Sequence, residues 1–181
     1  MRGDYDFVVW ATYGLGPSRD IFNIAKYQVA EKILIALPAE LQGIALVVVD
    51  GPFTAFDPYG SSRHSLFGSA KHTNHWSTSD PTDPIPEGYL RALNQSVFAA
   101  TANTRFEAMR EDCRLAVPAA KDAKYIGSRF TLRVVEDNSE HDRRILYVRD
   151  GLPGEIHIFS AKVVSAVKAA RMVCEKIADY G

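Results

Sequence analysis

The chain has 181 residues, enough for one compact domain or two small lobes sharing a sheet. Its 46% hydrophobic and 24% charged residues are those of a folded protein, and 21 basic against 22 acidic side chains leave a net charge of -1. That balance, with the basic residues scattered, gives no electrostatic basis for binding nucleic acid or an anionic membrane.

The two cysteines, Cys113 and Cys174, are far apart and lack Cys-x-x-Cys spacing, so neither a disulfide framework nor a zinc ribbon is indicated. The first residues, MRGDYDF, carry acids where a signal peptide needs a basic patch, and no apolar run is long enough to span a bilayer. A cytoplasmic protein is expected.

In chain order, Phe7 to Ala11 is a continuous apolar run closed by a turn, as in a strand buried on both faces. Tyr27 to Leu37 is apolar but interrupted by Glu31 and Lys32, reads as strand or helix, and ends at Pro38. Ile44 to Val49, β-branched and closed by Asp50-Gly51-Pro52, is the purest strand pattern. Residues 53 to 76 read as a hairpin, with strands near Thr54–Phe56 and His64–His75 and a turn at Pro58-Tyr59-Gly60-Ser61.

The connector SDPTDPIPEG then breaks the pattern. Helical spacing follows over Tyr89 to Val97 and Thr104 to Val117, stopped by Pro118. Tyr125 to Val135 and Arg144 to Val148 return to strand across the polar turn EDNSEHD. Ile156 to Phe159 is a short strand entering a helix from about Ala161 to Ala178, with Val163, Val167, Ala170, Cys174 and Ile177 on one apolar stripe. There are no repeats and no low-complexity tract.

Gly14-Leu15-Gly16 after the first strand invites comparison with a dinucleotide fingerprint. That fingerprint requires a third small residue, so that the next helix packs close and aims its amides at a pyrophosphate. Here the position holds Arg19, with Pro17 in the turn and Asp20 beside it, so a self-contained dinucleotide site is not expected.

Four stretches carry a resemblance: MRGDYDFVVWATYG at the start, DGPFTAFDPYGSSRHSLFGSAKHTNHW at 50–76, YIGSRFTLRVVEDN at 125–138 and IHIFSAKVVSAVKAA at 156–170. Their order resembles the later half of an FAD-dependent oxidoreductase of the D-amino-acid-oxidase superfamily. The resemblance implies an α+β (α/β-like) fold. A mixed, largely antiparallel substrate-domain sheet with helices would occupy residues 21–149. Residues 1–20 and 150–181 would be remnant strands and the C-terminal helix of the flavin-binding domain, all within a single compact unit. The roof of the substrate site would be the sheet of residues 26–76. The implied chemistry is removal of a hydride from a C–N bond of an amino acid or amine. The N-terminal βαβ unit with its Gly-rich turn is absent, so the chain is not expected to hold FAD tightly unaided. Its first residue would correspond to an internal point of a longer ancestor or of a split gene. A partner chain would then supply the missing dinucleotide-binding half.

By the same resemblance, Ala11, Thr12 and Gly14 form a turn that lets the backbone approach the cofactor, and Ser160, Ala161 and Lys162 open the helix returning to it. A helix N-terminus favours negative charge and would suit the reduced flavin's pyrimidine edge; the alternative is simple capping by Ser160 with a solvated Lys162. Arg129, in Ile-Gly-Ser-Arg, is similar to the Gly-x-Arg element whose guanidinium forks a substrate carboxylate; the usual following Pro is Phe130 here, and the alternative is a strand arginine with a surface partner. His64 or His72 would border the substrate under the roof, or be polar strand residues. Tyr59, with Phe53, Phe56, Phe67 and Trp76, would wall an aromatic pocket or belong to the core. No metal is expected, because a His-x-x-His pair in a strand diverges. The competing reading is a non-catalytic binding or dimerisation domain derived from such a flavoprotein, homo-oligomeric because the flank of the Phe7–Ala11 strand would need cover.

Overall fold

The structure, a computed structural model, describes residues 5–13, 18–22, 25–49, 53–80, 82–137, 146–160 and 162–180. In chain order the elements are β1 (Val8–Trp10), α1 (Ser18–Ile21), β2 (Ala25–Ala36), β3 (Leu46–Val47), β4 (Thr54–Pro58), β5 (His64–Ser69), β6 (Asn74–Thr78), α2 (Glu87–Leu90), α3 (Phe106–Ala116), β7 (Lys124–Glu136), β8 (Tyr147–Asp150), β9 (Glu155–Phe159) and α4 (Ala166–Asp179). The fold is α+β, with two sheets. The chain divides into two compact units: Met1–Tyr27, Thr78–Asp83 and Val134–Gly181 form the first, and Gln28–Ser77 and Pro84–Arg133 the second.

The first unit carries a three-stranded sheet in the order β1-β9-β8. β1 runs parallel to β9, with Val8 opposite Glu155 and Trp10 opposite His157, and β8 and β9 form an antiparallel hairpin. That hairpin turns at residues 151–154, where Gly154 holds φ +76, a conformation cheap only for glycine. Phe159 centres the unit's aromatic packing, touching Phe22, Tyr13 and Tyr147.

The C-terminal helix differs from its expected register. Val163–Ser165 form a 3₁₀ turn and the α-helix starts at Ala166. The 3₁₀ turn takes Val163 off the phase of the helix, while Val167, Ala170, Cys174 and Ile177 keep theirs. The buried positions of α4 are Ala169 and Val173; Val163 and Val167 are 89% and 66% exposed and Cys174 faces solvent.

The second unit is built on a six-stranded sheet in the order β3-β4-β5-β2-β6, with β7 also paired to β2. The β3–β4, β4–β5 and β5–β2 pairings are antiparallel. The ambiguous segment at 27–37 is the long strand β2, buried almost throughout. Ile33, Ile35 and Leu37 meet Phe56, Phe67, Phe106, Met109 and Cys113 in its core. α3 presents Phe106, Met109 and Cys113 to that core at steps of three and four.

Three expectations fail in this unit for identifiable reasons. Ile44 to Val49 supplies only the two-residue strand β3, with Val47 and Val49 exposed, because it lies at the sheet edge. The expected strand over His64–His75 breaks into β5 and β6 at residues 70–73, where Thr73 Oγ1 accepts from the Ser69 N–H and Thr73 N–H bonds back to Ser69 O. Helical spacing over Tyr89–Val97 yields helix only to Leu90. Beyond it the chain forms an arch along β7, with a parallel bridge at Leu93–Phe130 and an antiparallel one at Ala99–Ser128. The arch satisfies backbone groups of β7 that a continued helix would leave unpaired.

Candidate functional site

In the first unit, a cavity of about 520 Å³ is lined by Ala11, Tyr13, Ile158, Ser160, Lys162, Val163, Ala166, Ala169 and Ala170. It lies where the parallel strands β1 and β9 end, the side of a parallel pair on which α/β proteins commonly bind ligands. Ala11 directly follows β1, and Ser160 directly follows β9. Three alanines of α4 make a low wall, and Ser160 and Lys162 supply polar groups near the start of that helix. Ser160 Oγ meets Ser165 Oγ at 2.6 Å and the Lys162 carbonyl at 3.3 Å, so the hydroxyl orders the entry to the helix.

The Ala11–Tyr13 turn is held from two sides. Tyr13 adopts φ +58, and its hydroxyl bonds both the carbonyl and the N–H of Val134, at 3.3 and 3.2 Å. Its ring stacks on Phe159 at 6.4 Å. Thr12 Oγ1 donates to Ser18 Oγ at 3.2 Å, and Ser18 Oγ lies 3.0 Å from His157 Nδ1. Ser18 is fully buried and His157 nearly so, stacked on Trp10. His157 Nε2 has no hydrogen-bond partner among the described residues; the nearest charge is Glu155, at 3.7 Å. The Ser18–His157–Glu155 row resembles a nucleophile–base pairing in spacing, but a serine with no exposed surface cannot reach a substrate.

Of the cofactor residues expected from sequence, Ala11, Ser160 and Lys162 thus line one cavity, and Thr12 anchors its wall. Gly14 and Ala161 lie outside the described residues.

The expected substrate residues belong to the second unit. Arg129 donates from Nε to the carbonyl of Gln95 at 2.8 Å and lies over the Phe98 ring at 5.4 Å. Tyr59 packs edge-on against the same ring at 5.6 Å, so Phe98 joins the two. His64 opens β5 just after the β4–β5 turn, its carbonyl accepting from Tyr59 N–H and its N–H donating to Ser62 Oγ. In this position Arg129 pins the arch. His72 shares Asp112 with Lys71, at 2.8 and 2.9 Å. The bonds from Lys71, and then His72, hold the Asp112 carboxyl below its usual range. The supposed aromatic wall does not form as a group: Phe56 and Phe67 are core, whereas Phe53 is exposed.

Sequence reasoning missed the most organised polar group in this unit. Glu31 sits mid-strand in β2 with its side chain wholly buried. One carboxylate oxygen accepts from Ser128 Oγ at 2.5 Å; the other accepts from His75 Nε2 at 2.8 Å and from the Arg105 backbone N–H at 3.0 Å. His75 Nδ1 is 3.1 Å from the Tyr89 hydroxyl, and Ser128 Oγ is 3.0 Å from that of Tyr125. Burial pushes the Glu31 carboxyl up, but the bonds from His75, Ser128, Arg105 and Thr104 together outweigh it and leave it below its usual range. The Arg105 guanidinium caps the carbonyls of His72 and Asn74.

Beside this network a smaller cavity, about 310 Å³, is lined by residues of the arch together with Ser128 and Phe130. Phe130 packs edge-on against His75 and tilted against Tyr89, at 5.2 and 5.5 Å.

Among the described residues, no three His, Cys, Asp or Glu side chains converge to hold a metal ion, and no helix is long and apolar enough to cross a membrane. No protein-family model matches the chain, and no curated protein matches it.

Proposed function

We propose that the chain is the substrate-binding and C-terminal portion of a D-amino-acid-oxidase-like, FAD-dependent oxidoreductase acting on a C–N bond of an amino acid or amine. The observation that supports this reading is the meeting of Ala11, Ser160 and Lys162 around one cavity at the carboxyl ends of β1 and β9.

The residues present fit one face of a flavin. The volume falls in the range of about 300–1,000 Å³ usual for cofactor pockets. Alanine methyls at 166, 169 and 170 allow a flat group to approach, and the positive end of the α4 dipole favours the negative charge of a reduced ring. Ser160 and Lys162 would orient its polar edge. The flavin, when bound, accepts the hydride; the protein's part is binding and orientation. No Gly-x-Gly-x-x-Gly occurs among the 181 residues, so a further polypeptide provides the pyrophosphate site in this proposal, and the chain alone is inactive.

Titration of riboflavin, FMN and FAD into the purified protein, followed by flavin fluorescence, tests the reading. Quenching by all three, abolished in Ala166→Trp, is expected, since only the ring site is present. Absence of quenching by any flavin at millimolar protein overturns it.

A non-catalytic dimerisation domain is the second reading. It is favoured by β1 lying at a sheet edge with Val9 41% exposed, and by the exposed Val163, Val164 and Val167. Sedimentation equilibrium decides: a concentration-independent monomer removes it.

A further inference from the structure

Among the described residues, β3 has a strand on one side only and forms an edge of the second unit's sheet. Which backbone groups face the open side follows from the ladder. Leu46 lies opposite Phe56 and Val47 opposite Ala55, and the Val48 N–H donates to the Thr54 carbonyl at 2.8 Å. Along an antiparallel pair, residues alternate between bonding across the ladder and turning their N–H and C=O away from it. Leu46 and Val48 therefore bond to β4, and the N–H and C=O of Val47 point outward.

The side chains divide by the same alternation. Leu46 packs on the core, while Ala45, Val47 and Val49 share the opposite face and are exposed, Val47 and Val49 at 60% and 74%. Phe53, where the chain enters β4, is exposed too, and is held at φ +48, a costly conformation for a bulky residue. Natural edge strands commonly carry a lysine or a proline that stops a second chain from pairing with them. Residues 41–49 read LQGIALVVV and contain neither.

We propose that β3 is the contact surface for a second copy of this chain, the two strands pairing antiparallel about a two-fold axis at Val47 so that the two sheets become one. In this register Val47 exchanges both backbone bonds with Val47 of the second copy, and Ala45 does the same with Val49 of the second copy. Those positions also bring their side chains together on one face, valine against valine at the axis and alanine against valine on either side of it. Two features select a copy of the chain as the occupant. A strand with no charged residue between Glu40 and Asp50 meets itself without like-charge repulsion, and a net charge of -1 per chain adds little. The pattern is also its own complement, as a two-fold contact requires, because the small Ala45 falls opposite the larger Val49 on both sides of the axis. The surface lies wholly within the second unit, so the inference rests neither on the flavin reading nor on the exposed valines of the first unit.

Sedimentation equilibrium of the full chain, with Val47→Lys, Val47→Pro and Val167→Lys alongside, tests the proposal. A monomer–dimer equilibrium is expected in the parent. Val47→Lys sets two ammonium groups against each other at the axis, and Val47→Pro removes an N–H that β4 does not use, so each weakens association tenfold or more. Val167→Lys, in the exposed patch of the first unit, leaves association unchanged. Hydrogen exchange supplies a readout that needs no substitution: the Val47 amide slows as protein concentration rises. A concentration-independent monomer at millimolar concentration, a dimer that survives both Val47 variants, or a Val47 amide indifferent to concentration each overturns the proposal. Dissociation in Val167→Lys alone also overturns it, and assigns association to the first unit. Flavin quenching, read separately, is unchanged in both Val47 variants, so a failure here is distinguishable from a failure of the flavin reading.

Discussion

The first unit walls its cavity with the methyl groups of Ala166, Ala169 and Ala170 and leaves Val163 almost fully in solvent, whereas the second unit gathers the side chains of Glu31, His75 and Ser128 away from water and satisfies them from within. Small side chains leave space and commit little energy to it. A buried charge with every lone pair engaged commits a great deal, because each missing partner exposes the full desolvation cost of the rest. Stability in the second unit therefore hinges on a few atoms.

Removing the carboxylate gives the largest expected effect. Glu31→Ala leaves His75 and Ser128 unpaired in the interior and costs on the order of 3–5 kcal/mol, read as a fall in the urea midpoint. The pH dependence sharpens the point. Glu31 is held below its usual carboxylate range in the folded state. Its stabilisation is thus complete above an unfolded value of about 4.3 and is lost as the pH falls through the lower folded value. Urea midpoints between pH 6 and 3 should fall less steeply in Glu31→Gln than in the parent; equal slopes would remove Glu31 from the account of acid unfolding.

Steric and polar changes in the first unit come next. A Cβ on Gly151 would stand 2.4 Å from His157 Nε2, and that ring is too deeply buried to move aside, so Gly151→Ala is expected to cost about 1–3 kcal/mol in a thermal melt. Ser18→Ala strips His157 Nδ1 of its partner and should cost about 1 kcal/mol. A loss matching that of Glu31→Ala would erase the contrast between the units. The smallest effect is chemical: Cys113, buried in the second unit's core and pushed up to about 11, should resist a thiol reagent until unfolding, while exposed Cys174 reacts in the native protein.

Much of the fold could be read from the chain, because apolar pattern and turn chemistry are local. β9 running into the C-terminal helix, α3 ending before Pro118, and β4 and β7 all follow from such patterns. Exposure did not follow. Ile44, Val47 and Val49 look like core and sit at an edge, since the pattern records what a strand could bury and not where in the sheet it lies. The Glu31 network was hidden for a different reason. One acid in an apolar run reads as an interruption, and its partners His75, Arg105 and Ser128 are 44, 74 and 97 positions away. The single available signal was that same misfit, a Glu where β2 has no solvent face. The grouping of Ala11 with Ser160 was accessible because each follows directly on a strand of the parallel pair.

The arch over β7 is fastened at Asn94, whose N–H bonds Phe130 O at 2.8 Å, and at Ala99, which exchanges two bonds with Ser128; between them Arg129 grips the Gln95 carbonyl. Two clasps with a short span between them define a segment that can lift as a whole without unravelling the strand beneath. Hydrogen exchange would register this as a shared, intermediate protection of the Asn94 and Ala99 amides, distinct from the slow amides of β2.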